Sequence, residues 1–176
     1  MKKTFSILLI PFLFTCCNKV KNQLPTLVHT GENILACYVN GSPLIISGHQ
    51  TNGGIVITID GTKFINSNPF IQIDAYQTNA YEIGFVIRFA DSVALGSYNF
   101  SDTAHVFPSQ SYGYYYNLNQ TASYHYLYYQ TNATYSGTVN ISYFDGKIVA
   151  GTFSFDALDS GNVVHITDGE FDINVN

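Results

Sequence analysis

Apolar and polar residues alternate in short runs along most of the chain, and most runs end at residues suited to a turn. ILACYV (34–39) runs into Asn40-Gly41, and PLIIS (43–47) leaves it. Asn-Gly supplies the two positive-φ positions of a tight hairpin, so two paired strands are expected here. GIVITID (54–60) ends at Asp60-Gly61 with TKFIN (62–66) beyond it, a second expected hairpin. In FIQIDAY (70–76) every other residue is polar, which predicts one buried and one wet face. EIGFVIRFA (82–90) is evenly apolar, as a strand covered on both faces would be. ALGSYNF (94–100) uses Gly96 as a turn into a short strand.

The C-terminal third is the most regular. SGTVNISYF (136–144) places Val139, Ile141 and Tyr143 on one face, and Asp145-Gly146 turns it into KIVAGTFSFDA (147–157). There Val149, Gly151, Phe153 and Phe155 share a side. VVHITDGEFDINV (163–175) adds a last strand, broken or bulged at Asp168-Gly169, after which Phe171, Ile173 and Val175 alternate with Glu170, Asp172 and Asn174. Period-two patterns, turns about every ten residues and the lack of any amphipathic helix predict an all-β fold, an antiparallel β-sandwich or barrel.

The start of the chain follows another rule. In MKKTFSILLIPFLFTCCNKV a basic pair (Lys2, Lys3) precedes an apolar run from Phe5 to Phe14, interrupted by Pro11. That run is too short for a permanent membrane helix and suits a signal peptide. It ends in Phe14-Thr15-Cys16-Cys17, similar to a bacterial lipobox, where the cysteine thiol is diacylated and becomes the new N-terminus. Cys17 is favoured as the lipidated residue because a small residue precedes it; Cys16 is the alternative. The expected organisation is a lipoprotein signal peptide at 1–16, a lipidated tether at 17–31 and one all-β domain at 32–176. The implied partner is the membrane, through acyl chains in which each buried methylene adds about 0.8 kcal/mol.

Removing residues 1–16 leaves five cationic side chains (Lys19, Lys21, Lys63, Arg88, Lys147) against twelve acidic ones, a net charge of −7 where the full chain has −5. Such a surface repels phosphate backbones, so no nucleic-acid partner is expected. Beyond Cys16 and Cys17 only Cys37 remains, set among apolar residues and expected to be a core thiol.

Three stretches together carry a resemblance: QLPTLVHTGENILACYVNG (23–41), TYSGTVNISYFDGKIVAGTFSFDA (134–157) and ITDGEFDI (166–173). With the lipobox they resemble a family of uncharacterised lipoproteins of Bacteroidota-type bacteria, a domain of unknown function. Its landmarks are a leucine-proline, a threonine-glycine with asparagine, a cysteine before an asparagine-glycine hairpin, and closing GTF-F and TDG-FD strands. The chain departs from it at Ser42-Pro43-Leu44, where members carry a basic or aromatic residue. It departs again at Asn18-Lys19-Val20-Lys21, where they often have an acidic run that favours export to the surface. The resemblance implies a cell-envelope address at the outer membrane, with the periplasmic or surface face left open, and brings no activity with it.

No nucleophile elbow, H-E-x-x-H, phosphate-cradling loop or C-x-x-C occurs, so no catalytic residue, metal site or cofactor is expected. His29, His49, His105, His125 and His165 stand singly; His125 and His165 fall in alternating runs as exposed or hydrogen-bonded strand residues. Asp156, Asp159, Asp168, Glu170 and Asp172 make the C-terminus acidic, but their spacing fails a calcium loop and turn chemistry explains two of them. DSV (91–93) and DTA (102–104) match an Asp-Ser/Thr-apolar O-glycosylation acceptor, which makes Ser92 and Thr103 candidates.

The densest feature is YGYYYNLNQTASYHYLYY (112–129), with eight of the fourteen tyrosines. Tyr124, Tyr126 and Tyr128 would share one strand face, opposite His125, Leu127 and Tyr129, with Tyr114 and Tyr116 aligned on a preceding segment. A hairpin or two edge strands is expected. In a chain without tryptophan these rings supply core volume; an exposed face of them, near Asn and Gln, suits a glycan or a protein partner. Three functions follow: a non-enzymatic envelope lipoprotein with a binding or structural role, a glycan-binding module using 112–129, and an envelope hydrolase needing a His and an acid brought together in a cleft. Exposure of the tyrosines separates the first two.

Overall fold

The computed structural model describes residues 24–26, 28–48, 53–60, 70–77, 81–88, 93–101, 111–117 and 127–174. They form eleven strands: β1 (Ile34–Val39), β2 (Ser42–Ser47), β3 (Gly53–Asp60), β4 (Phe70–Gln77), β5 (Tyr81–Arg88), β6 (Gly96–Phe100), β7 (Tyr112–Asn117), β8 (Leu127–Gln130), β9 (Gly137–Phe144), β10 (Ile148–Asp159) and β11 (Asn162–Asn174). No helix occurs among the described residues. All strands join one antiparallel sheet in the order β2-β1-β11-β10-β8-β7-β5-β4-β3, with β6 and β9 on a branch from β10. The all-β antiparallel expectation is met, as a curled half-barrel.

The turns that the sequence marks are built as expected. Asn40 and Gly41 have φ of 48° and 79°, so β1 and β2 close through a two-residue turn with Val39 opposite Ser42. Ser160 and Gly161 repeat this between Asp159 and Asn162. At Asp145 the carboxylate accepts the amides of Lys147 and Ile148, each at 2.8 Å, an Asx turn that reverses β9 into β10. The expected turn at Asp60-Gly61 and the TKFIN strand lie outside the described residues.

The curl begins at β10. β11 flanks β10 along its length, while the other side pairs first with β9 (Val149 to Phe155) and then with β8 at Leu158, so the sheet forks. The expected bulge at Asp168-Gly169 is present. Asp168 has φ 50°, and the register of β11 shifts against both β10 and β1. A Cβ at Gly169 would meet the Phe153 carbonyl at 2.5 Å, so only glycine lets the strands bend together here. β2 and β3, at the two ends of the sheet, approach each other, and the concave face closes on one core.

Phe85 is the centre of that core, with Phe100, Phe153 and Phe171 at ring-centroid distances of 5.5, 5.1 and 5.4 Å. Burying each such ring contributes about 1.5–3 kcal/mol. Alternation puts Ile71, Ile73 and Ala75 of β4 and Val139 and Ile141 of β9 on the same side. Cys37 is fully buried, and burial pushes its thiol up to about 12, so it stays protonated as a packing residue. As its even apolarity predicts, β5 is buried on both faces from Ile83 to Ile87.

One residue breaks the C-terminal alternation. Asp172, expected on the wet side, is 3% exposed. Segment 28–33 covers it: the amides of Thr30 and Gly31 donate to its carboxylate at 3.0 and 2.8 Å, and Asn174 donates its amide to Asn33 Oδ1 at 2.9 Å. The threonine-glycine landmark near the start and the TDG-FD landmark at the end are therefore two halves of one clasp.

The tyrosine-rich strands are interior, correcting the edge-strand alternative. β7 lies between β5 and β8, and β8 between β7 and β10. The reason is burial on both sides: Tyr115 faces the core at 4% exposure, and Tyr114 is nearly as buried on the opposite face at 6%.

Candidate functional site: the outer tyrosine face

β4, β5, β7 and β8 present a continuous outer surface. Cross-strand register aligns Asp74, Gly84, Tyr114 and Gln130 in one row, and Tyr76, Glu82, Tyr116 and Tyr128 in the next. A third row holds Gln72, Val86 and Tyr112. The rings form a ladder of tilted and edge-to-face contacts: Tyr112 to Tyr114 at 6.3 Å, Tyr114 to Tyr128 at 5.8 Å and Tyr116 to Tyr128 at 5.5 Å. Such pairs contribute about 0.5–1.5 kcal/mol each beyond area burial. Tyr112, Tyr116 and Tyr128 remain half-buried, whereas Tyr114 is buried beneath them.

Tyr114 organises the face. Its ring lies across β5 where Gly84 has no side chain; a Cβ there would stand 2.6 Å from the phenol oxygen. The hydroxyl thereby crosses a whole strand and donates to Asp74 Oδ1 on β4, with Glu82 Oε1 at 3.3 Å. Gln72 Nε2 donates to the other Asp74 oxygen at 2.8 Å. Burial raises the Asp74 carboxyl above its usual range despite these two bonds. Glu82 is raised by burial and then by the charge of Asp74. Burial, followed by the neighbouring carboxylates, drives the Tyr114 hydroxyl far above the ordinary phenol range, so it remains a donor. Tyr128 is pushed up to about 12 by burial, with Tyr112 and the two carboxylates adding to it.

The far end of the face is cationic. Arg88 lies over the Phe70 ring at 5.2 Å, and its backbone amide donates to Ser111 Oγ at 3.0 Å. Tyr112 stands between the two ends: burial and Asp74 raise its hydroxyl, and Arg88 lowers it.

Of the expected binding residues, Tyr114, Tyr116 and Tyr128 meet on this face, while Tyr124 and Tyr126 lie outside the described residues. So do Cys16, Cys17, Ser92, Thr103, His49, His105 and His125. Tyr115 and Tyr129 point inward, their tilted rings 6.0 Å apart. Sequence reasoning missed Asp74, Glu82, Gln72 and Gly84. The available signal was the glycine inside an otherwise apolar strand, which marks a close approach by another group.

His165 Nδ1 and Asp156 Oδ1 are 2.7 Å apart on the outer side of β10 and β11. Their side chains are 60% and 47% exposed, so the pair sits on an open sheet and not in a water-excluding cleft. Ser154 and Thr167, each two residues from this pair, border a polar groove of about 500 Å³ that also includes Asn140, Asp168 and Glu170. Of the remaining C-terminal acids, Asp159 accepts from Ser160 Oγ at 3.1 Å and Asp172 serves the clasp. Among the described residues no three His, Cys, Asp or Glu side chains form a group able to hold a metal.

Comparison with protein-family models, with characterised proteins and with solved structures finds no match. The family resemblance rests on its landmark residues.

Proposed function

We propose that this chain is a non-enzymatic envelope lipoprotein, anchored through Cys17 (or Cys16), whose outer tyrosine face binds carbohydrate. The observation that carries the binding reading is the ladder of Tyr112, Tyr114, Tyr116 and Tyr128 beside Asp74, Glu82 and Gln72. Sugar rings have apolar faces that stack on phenols and hydroxyl edges that hydrogen-bond to carboxylates and amides. A half-buried, ring-on-ring surface offers both at low conformational cost, because the tyrosines already hold one another. Binding of oligosaccharides on a glycan array, lost at least tenfold in Tyr128→Ala and Tyr116→Ala, supports this reading. An array with no bound glycan sinks it. Palmitate incorporation that disappears in Cys17→Ser tests the anchor separately.

Among the described residues, a hydrolase is favoured by the His165–Asp156 contact alone. Hydrolysis of envelope glycans or esters that His165→Ala abolishes would establish it; its open position favours the binding reading.

A further inference from the structure

We infer that the outer tyrosine face selects sugars carrying a free, protonated amine over neutral, N-acetylated or acidic ones. The inference rests on the glycan reading above and names the ligand class for that site. Its ground is an imbalance of charge and donors. Asp74 and Glu82 converge on one phenolic proton, that of Tyr114, and Asp74 also accepts from the Gln72 amide. Among the described residues of this face the cation is Arg88, whose guanidinium lies over the Phe70 ring. In register Arg88 pairs with Phe70, four residues from Asp74 along β4, roughly 13 Å at about 3.3 Å per residue.

Two desolvated carboxylates among phenol rings therefore form the negative pole of the face. An ammonium group satisfies both parts of that environment. Its three N–H donors suit the two carboxylates, and the phenol rings of Tyr116 and Tyr128, in the same cross-strand row as Glu82, favour positive charge beside them. N-acetylation removes the charge and all but one of those donors, while a uronic or sialic acid adds a third negative charge at the same place. A hard divalent cation is a poorer occupant. Calcium takes 6–8 oxygen ligands, and the face offers two carboxylates, one of them already bonded to Tyr114 and Gln72. The amine also matches a domain whose overall charge is negative.

Calorimetric titration of the full chain at pH 6 with tetramers of glucosamine, N-acetylglucosamine and glucose tests the inference. The glucosamine tetramer is expected to bind at least tenfold more tightly than the other two. Glu82→Gln and Asp74→Asn should bring that preference to within about twofold, by weakening the glucosamine tetramer far more than the neutral ones. Glu82→Gln is the safer variant, because Asp74 carries the Tyr114 and Gln72 bonds. Neutral tetramers binding as tightly as the amine, or a preference that survives both substitutions, overturns amine selection and leaves the glycan reading standing. No binding of any tetramer removes both.

Discussion

The ring of Tyr114 crosses the bare backbone of Gly84, so its hydroxyl reaches Asp74 two strands away. Neither residue would be placed this way by its own strand. The glycine weakens β5 locally, and the tyrosine fills the space left over it. Gly84→Ala puts a Cβ 2.6 Å from the phenol oxygen and 2.5 Å from the Ile73 carbonyl. One contact is backbone, so the strand itself must shift. The expected loss is about 1–3 kcal/mol, the usual cost of overpacking, read as a lower midpoint in urea. The chain has no tryptophan, so its intrinsic fluorescence reports the tyrosines directly.

Tyr114→Phe keeps the ring over Gly84 and removes only the hydroxyl. Asp74 then retains the Gln72 amide and loses its donor from β7. A hydrogen bond to a charged group contributes about 1.5–3 kcal/mol, so a destabilisation in that range is expected. The Tyr114→Phe/Asp74→Asn double variant should lose less than the two single effects added together, as a thermodynamic cycle would show; strict additivity would mean the contact carries no energy.

Asp172 closes the N-terminal segment onto the sheet. Asp172→Ala leaves the amides of Thr30 and Gly31 without their carboxylate. The expected loss is about 1.5–3 kcal/mol, together with faster protease cleavage near residues 28–33, followed by mass spectrometry. Cleavage rates equal to those of the parent would show that other contacts hold the segment.

The carboxylates of the tyrosine face set a pH dependence. Burial raises Asp74 above 3.8 and Glu82 above 4.5 in the folded chain. The folded state thus holds its protons to higher pH than the unfolded state does. Stability from these two groups is greatest below pH 4 and falls as pH rises through their folded pKa values. Asp145, held below 3.8 by the Ile148 and Lys147 amides, contributes with the opposite sign. The difference between parent and Glu82→Gln isolates the effect: the variant should gain relative stability between pH 4 and pH 7. A constant difference across that range would exclude a raised Glu82.

Much of the architecture was legible because it is local. Asn40-Gly41 and Ser160-Gly161 adopt the positive φ their residues permit, and alternation in Val139 and Ile141 or Phe153 and Phe155 assigns the buried face. The bulge at Asp168-Gly169 was visible as an interruption in that period. For the site the sequence was half sufficient. It located the tyrosines and left open which of them face outward, because Tyr114 and Tyr115 have the same chemistry and opposite surroundings.

What the sequence determined by itself is what depends on neighbouring residues: strands, turns, the all-β class and the places where rings accumulate. Tertiary structure alone decided what depends on register between distant segments. Asp74, Glu82 and Tyr114 meet across separations of 32 and 40 residues, and Gly31 and Asp172 across 141. Such contacts follow from how the whole sheet curls to bury Phe85 and its neighbours, a constraint that no short stretch of the chain carries.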